Sequence, residues 1–177
     1  MVLRRHSRIA AAVFLLAAPA MAHPQSQATG CASHPAFARL DFWVGEWDVF
    51  VGAQKVGENR IAKVEGGCAI TEDWRPAGGG SGRSLFYVGP DDLMWRQVWV
   101  TAGALAPGGV KEKREVDADG AAVRFQGIIS DTARRSWLDR TTLTPNADGS
   151  VRQHIEISTD SGSTWRTTFD AVYRRRR

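Results

Sequence analysis

From Phe42 onward, apolar and polar positions alternate in short runs rich in β-branched and aromatic residues, and Gly, Pro, Asn or Asp interrupts them about every ten residues. The pattern predicts strands over 42–51, 59–65, 68–75, 83–89, 94–101, 110–116, 121–128, 136–144, 151–158 and 165–174. Between them lie turn signals such as Gly66-Gly67, Gly89-Pro90-Asp91-Asp92, Asp119-Gly120 and Asn146-Ala147-Asp148-Gly149. About ten short antiparallel strands in succession would leave exposed edges unless the sheet closed, so the expected fold is all-β, an up-and-down antiparallel barrel. A short helical turn is expected over 34–40, with Pro35 in its first turn, and the stretch from Gly78 to Gly82 reads as a mobile loop.

Residues two apart on a strand share a face, so alternation assigns the inner wall. Cys68, Ile70, Glu72 and Trp74 are expected inside, opposite Ala69, Thr71, Asp73 and Arg75. Trp95, Gln97 and Trp99 share a face, although Val98 and Val100 make the other face apolar as well. Val151, Gln153, Ile155 and Ile157 are expected inside, which leaves His154 outside. Trp165, Thr167, Phe169, Ala171 and Tyr173 form the expected buried face of the last strand.

The chain ahead of these strands has a different character. Arg4, Arg5 and Arg8 precede an apolar run from Ile9 to Ala20 and the small-residue site Ala20-Met21-Ala22, which is the build of a secretory signal peptide over residues 1–22, cleaved before His23. The apolar run is about a dozen residues, short of the ~20 that span a bilayer, so stable membrane insertion is not expected. The protein is expected in the periplasm or secreted. Residues 23–40 then form a linker and short helical segment, and residues 41–177 the barrel domain. Without the signal the chain carries 20 Lys and Arg against 19 Asp and Glu, four of the positives in the run Arg174 to Arg177, so no nucleic-acid footprint is expected. That run is expected to be a solvated end. The two cysteines, Cys31 and Cys68, would reach an oxidising compartment, where a disulfide is the expected state.

Several strings resemble a known group. Asp41-Phe42-Trp43-Val44-Gly45-Glu46-Trp47-Asp48-Val49, the Gly67-Cys68 pair with Glu72 and Trp74, the strand Trp95-Arg96-Gln97-Val98-Trp99-Val100, and the ending from Arg152-Gln153 to Tyr173 are similar to a family of small exported bacterial proteins of unknown function. That family in turn resembles the calycins, the barrels that include lipocalins, fatty-acid-binding proteins and nitrobindins. The resemblance implies a calycin-like barrel with an internal cavity. It also places Gly45 and Trp47 at the lipocalin Gly-x-Trp, whose Trp packs under an Arg of the last strand, here Arg174 or Arg175. Nitrobindins hold haem through a histidine in the C-terminal part of the barrel. His154 is the residue to weigh, but its polar face, between Arg152 and Glu156, speaks against haem, and no cofactor or metal is expected. Ser158 to Trp165 resembles one Asp-box hairpin of sialidase propellers; Asp160 would bond turn amides, Gly162 would take a left-handed conformation, and Trp165 would seal the hairpin into the core.

Glu72 carries the most chemical promise, because a carboxyl between Ile70 and Trp74 has its charged form disfavoured and could serve as an acid/base or hold a ligand. Its other reading is a structural pair with an internal Arg such as Arg140. Trp74, Trp95, Trp99, Gln97 and Gln153 could line a mostly apolar cavity, or the aromatic rings could simply fill the barrel. Three functions therefore stay open: a binding protein for a small, largely apolar or aromatic molecule, an isomerase, cyclase or hydrolase using Glu72, or a structural or partner-binding barrel with a filled interior. No triad, phosphate loop or metal cluster supports an enzyme assignment.

Overall fold

The computed structural model describes residues 30–177. The expected signal peptide and the linker up to residue 29 lie outside the described residues. Ten antiparallel strands follow in order: β1 Gly45–Val51, β2 Gln54–Val64, β3 Ala69–Pro76, β4 Gly82–Val88, β5 Trp95–Thr101, β6 Val110–Val116, β7 Val123–Ser130, β8 Ser136–Pro145, β9 Val151–Ser158 and β10 Arg166–Arg175. Each pairs with its neighbour in sequence, and β1 closes on β10 through Trp47 opposite Arg175 and Val49 opposite Tyr173. The barrel thus has no free edge, the outcome expected for so long a meander.

Three short 3₁₀ turns, Cys31–Ser33, Pro35–Ala38 and Asp41–Trp43, precede β1 and close one end of the barrel. Phe42, expected to begin the first strand, belongs to the last of these turns. The reason is that Trp43 and Leu40 are fully buried and act as the stopper, packing with Trp47, Phe86, Phe125, Trp95 and Tyr173. Trp43 meets Phe86 edge-on, with ring centroids 5.3 Å apart, and the Trp47 indole donates to the Trp43 carbonyl at 2.9 Å. Arg39 joins the stopper to the wall through Glu115 at 2.6 Å. A disulfide between Cys31 and Cys68 fastens the leading segment to the turn before β3.

The Gly-x-Trp position has a clear physical content. Arg175 lies over Trp47 with its guanidinium carbon 4.5 Å from the ring centroid, and donates to the Val44 carbonyl at 3.3 Å. A Cβ at Gly45 would stand 2.5 Å from the Arg175 Nη1, so this glycine makes room for the clasp. The C-terminal run is engaged rather than merely solvated: Arg174 stacks on Phe50, and Arg176 pairs with Glu58 at 2.9 Å.

The start of β10 corrects the alternation. A bulge between Thr167 and Phe169 breaks the two-residue period, so Thr168 and Phe169 both line the interior, while Thr167 meets His154 Nε2 at 2.9 Å on the outer wall. Trp165 precedes β10 and lies half-buried on the outside. Its indole donates to the Gly162 carbonyl at 3.1 Å, and it seals the Ser158–Trp165 hairpin against Arg140 rather than into the core. Within that hairpin Asp160 accepts from the Thr164 amide at 2.9 Å and from two hydroxyls. These bonds hold its carboxyl down at about 2.

Candidate functional site

The end opposite the 3₁₀ stopper is where β3, β5 and β9 finish and β4, β6 and β10 begin. A cavity of about 330 Å³ lies there. Its aromatic walls are Trp74, Trp99 and Phe169, and Ile155 adds to them; deeper in stand Glu72, Gln97, Lys113, Thr141, Gln153 and Tyr173. The two tryptophans are set flat by their neighbours. A Cβ at Gly57 on β2 would collide with the far edge of the Trp74 indole, and one at Gly82 on β4 would collide with that of Trp99. Glycine and tryptophan thus alternate over four successive strands, Gly57, Trp74, Gly82 and Trp99, and the rings rest on bare backbone instead of blocking the lumen.

The floor is a chain of hydrogen bonds. Glu72 accepts from Ser84 Oγ at 2.7 Å and from Asn59 Nδ2 at 2.8 Å. Gln97 Nε2 donates to Ser84 Oγ at 3.1 Å, Asn59 donates to Tyr173 Oη at 3.3 Å, and Tyr173 donates to Gln153 Oε1 at 2.7 Å. Burial pushes the Glu72 carboxyl up, and the bonds from Ser84 and Asn59 with the positive charge of Lys113 oppose it only in part. Burial likewise raises the Tyr173 phenol well above its ordinary range, so it stays protonated. Gln97 is 7% exposed, and its Oε1 has no protein partner. A buried acceptor left without a partner costs about 1–3 kcal/mol, which a donor on a ligand or a water would recover.

On the β6–β8 side Lys113 donates to Asp139 and, at 2.7 Å, to Thr141 Oγ1, while Lys111 reaches the other Asp139 oxygen at 2.6 Å. Burial lowers Lys113 to about 8 against the pull of Asp139. None of these four residues stands out in the sequence. In Lys111-Glu112-Lys113-Arg114-Glu115 every position is charged, so alternation has no apolar face to mark as inner.

Of the candidates named from sequence, Glu72, Trp74, Gln97, Trp99 and Gln153 come together around the cavity. Trp95 does not: it is fully buried at the stopper end, its indole donating to the Ala36 carbonyl at 3.0 Å. Arg140, expected as an internal partner for Glu72, points outward, pairs with Glu156 at 2.8 Å and stacks 3.8 Å above Trp165. The strand places Asp139 and Thr141 inside, so period two sends Arg140 out. His154 also lies on the outer wall, against Thr167 and Glu156. Compared with models of protein families and with curated proteins, the sequence matches none.

Proposed function

We propose that this is an exported, calycin-like binding barrel that admits a small, flat, largely apolar molecule between Trp74, Trp99 and Phe169 and fixes a hydrogen-bonding group of that molecule at Gln97. What carries the reading is the union, in one cavity of about 330 Å³, of aromatic walls and a polar floor that includes Gln97 and Gln153. The glycines beneath the indoles favour a hollow barrel over a filled one. Charged side chains on the outer wall, such as Arg114 and Arg83, suit a surface in water rather than the apolar band of a lipid-facing barrel. Among the described residues no helix is long and apolar enough to cross a membrane.

The test is native mass spectrometry of the protein recovered from the periplasm of its host, beside the same sample denatured. A reproducible extra mass lost on denaturation is expected. A bare mass, together with no quenching of tryptophan fluorescence by small aromatic alcohols, would overturn the reading.

A second reading, acid/base catalysis in the same cavity, has one observation in its favour: the raised Glu72 carboxyl, held by Ser84 and Asn59. With the released molecule in hand, conversion by the wild type that Glu72→Gln abolishes while binding survives would establish it. Binding without conversion would sink it.

A further inference from the structure

Lysine is scarce in this chain, with Lys55, Lys63, Lys111 and Lys113 set against nineteen arginines. Two of the four stand on β6 and line the cavity. Arginine in either place would be a permanent charge, whereas lysine can give up its proton and become a nucleophile.

The geometry around Lys113 favours that loss. Asp139, on β8, is shared: it accepts from Lys111 at 2.6 Å and from Lys113 as well. Two ammonium groups share that one carboxylate, and each repels the other's proton. When Lys113 releases a proton, Lys111 and Asp139 remain as a matched pair, and the Thr141 hydroxyl can turn from accepting to donating toward the amine. The charged groups acting on Lys113 are Asp139 from β8, Glu72 from β3 and Lys111 on its own strand. Asp139 and Glu72 hold its proton on; burial and Lys111 drive it off.

We propose that Lys113 is a carbonyl-capturing amine, which condenses with an aldehyde or ketone group on a small aromatic molecule seated between Trp74 and Trp99. This rests on the binding reading above. The neutral Nζ attacks the carbonyl carbon, forming the C–N bond, and the oxygen takes up a proton that the nitrogen gives up. The resulting carbinolamine loses its hydroxyl as water, taking up from solvent the equivalent of the proton that Lys113 shed on becoming neutral. The products are an iminium on Lys113, facing Asp139, and one water. No electrons are exchanged with an outside reagent.

The experiment treats the folded protein with benzaldehyde and sodium cyanoborohydride at pH 7, so that any imine is reduced to a stable amine, and maps the modified lysines by peptide mass spectrometry. At that pH an amine that titrates at about 8 is roughly a tenth neutral, against well under a thousandth for an ordinary lysine. Labelling of Lys113 is expected to run at least about tenfold faster than that of Lys55 or Lys63, with a rate that climbs to a plateau above pH 8, and K113M should lose the fast adduct alone. Labelling of Lys113 no faster than of Lys55 would overturn the proposal, and because the comparison is internal to the wild type it stands even if K113M does not fold. Benzyl alcohol, which cannot form an imine, separates the two readings. If it quenches tryptophan fluorescence while Lys113 stays unlabelled, the cavity reading survives and the amine proposal fails; if neither occurs, both fail.

Discussion

At the scale of single residues, Glu72 is a carboxyl set into the floor of the cavity. It is 3% exposed and its two oxygens are held by Asn59 and Ser84. Because burial raises its carboxyl in the folded state, the native protein binds that proton more tightly than the unfolded chain does. The contribution is therefore fully present below the unfolded value near 4.5 and is lost as pH rises through the higher folded value. A Glu72→Gln variant, which cannot charge, escapes that loss. Its melting temperature relative to the wild type should be more favourable at pH 8 than at pH 4, and thermal melts at the two pH values check this; a difference independent of pH would mean that Glu72 titrates normally. The position of Glu72 was legible because Ile70 and Trp74 flank it on an alternating strand. Lys113 was not, since nothing in the run Lys111 to Glu115 says which charge faces inward; and Arg140 faces out because Asp139, Thr141 and Leu143 take the inner face of β8.

At the scale of elements, the strands were legible to within a few residues, and the two larger errors share a cause. β2 begins at Gln54 rather than at residue 59, and Gly57 within the added stretch is the bare backbone on which Trp74 lies. On β10 Phe169, Ala171 and Tyr173 face inward as alternation predicts, but Thr167 does not, because one extra residue at the Thr167/Phe169 bulge shifts the period and local sequence carries little sign of a bulge without glycine. Both features serve the mouth of the cavity, where tertiary contacts overrule local preference. Gly82→Ala tests this directly. The added methyl must push the Trp99 ring toward the lumen, at an overpacking cost of about 1–3 kcal/mol, so the variant should melt lower and bind benzyl alcohol more weakly than the wild type. Unaltered binding, measured by calorimetry, would show that the ring gives way without narrowing the mouth.

At the scale of the whole molecule, the barrel is fastened at one end and open at the other, and the fastening comes largely from outside the strands. The leading segment supplies Leu40 and Trp43 to the core and Arg39 to Glu115, and the Cys31–Cys68 disulfide closes a loop spanning 37 positions of sequence. In the chain-entropy model a loop of that length restrains the unfolded state by about 4 kcal/mol, a large part of the roughly 5–15 kcal/mol typical of a small domain. The buried stopper would keep its apolar contacts without the bridge, so the prediction is graded rather than all-or-none. Paired Cys31→Ser and Cys68→Ser substitutions should lower stability by about 2–4 kcal/mol in denaturant melts. Amide exchange should quicken first over 31–43, while benzyl alcohol, bound at the far end among Trp74 and Trp99, should retain its affinity under native conditions. Should affinity fall in step with stability, the two ends of the barrel would be coupled through the wall that Trp47, Tyr173 and Asn59 share, and the stopper would belong to the binding site rather than to the scaffold alone.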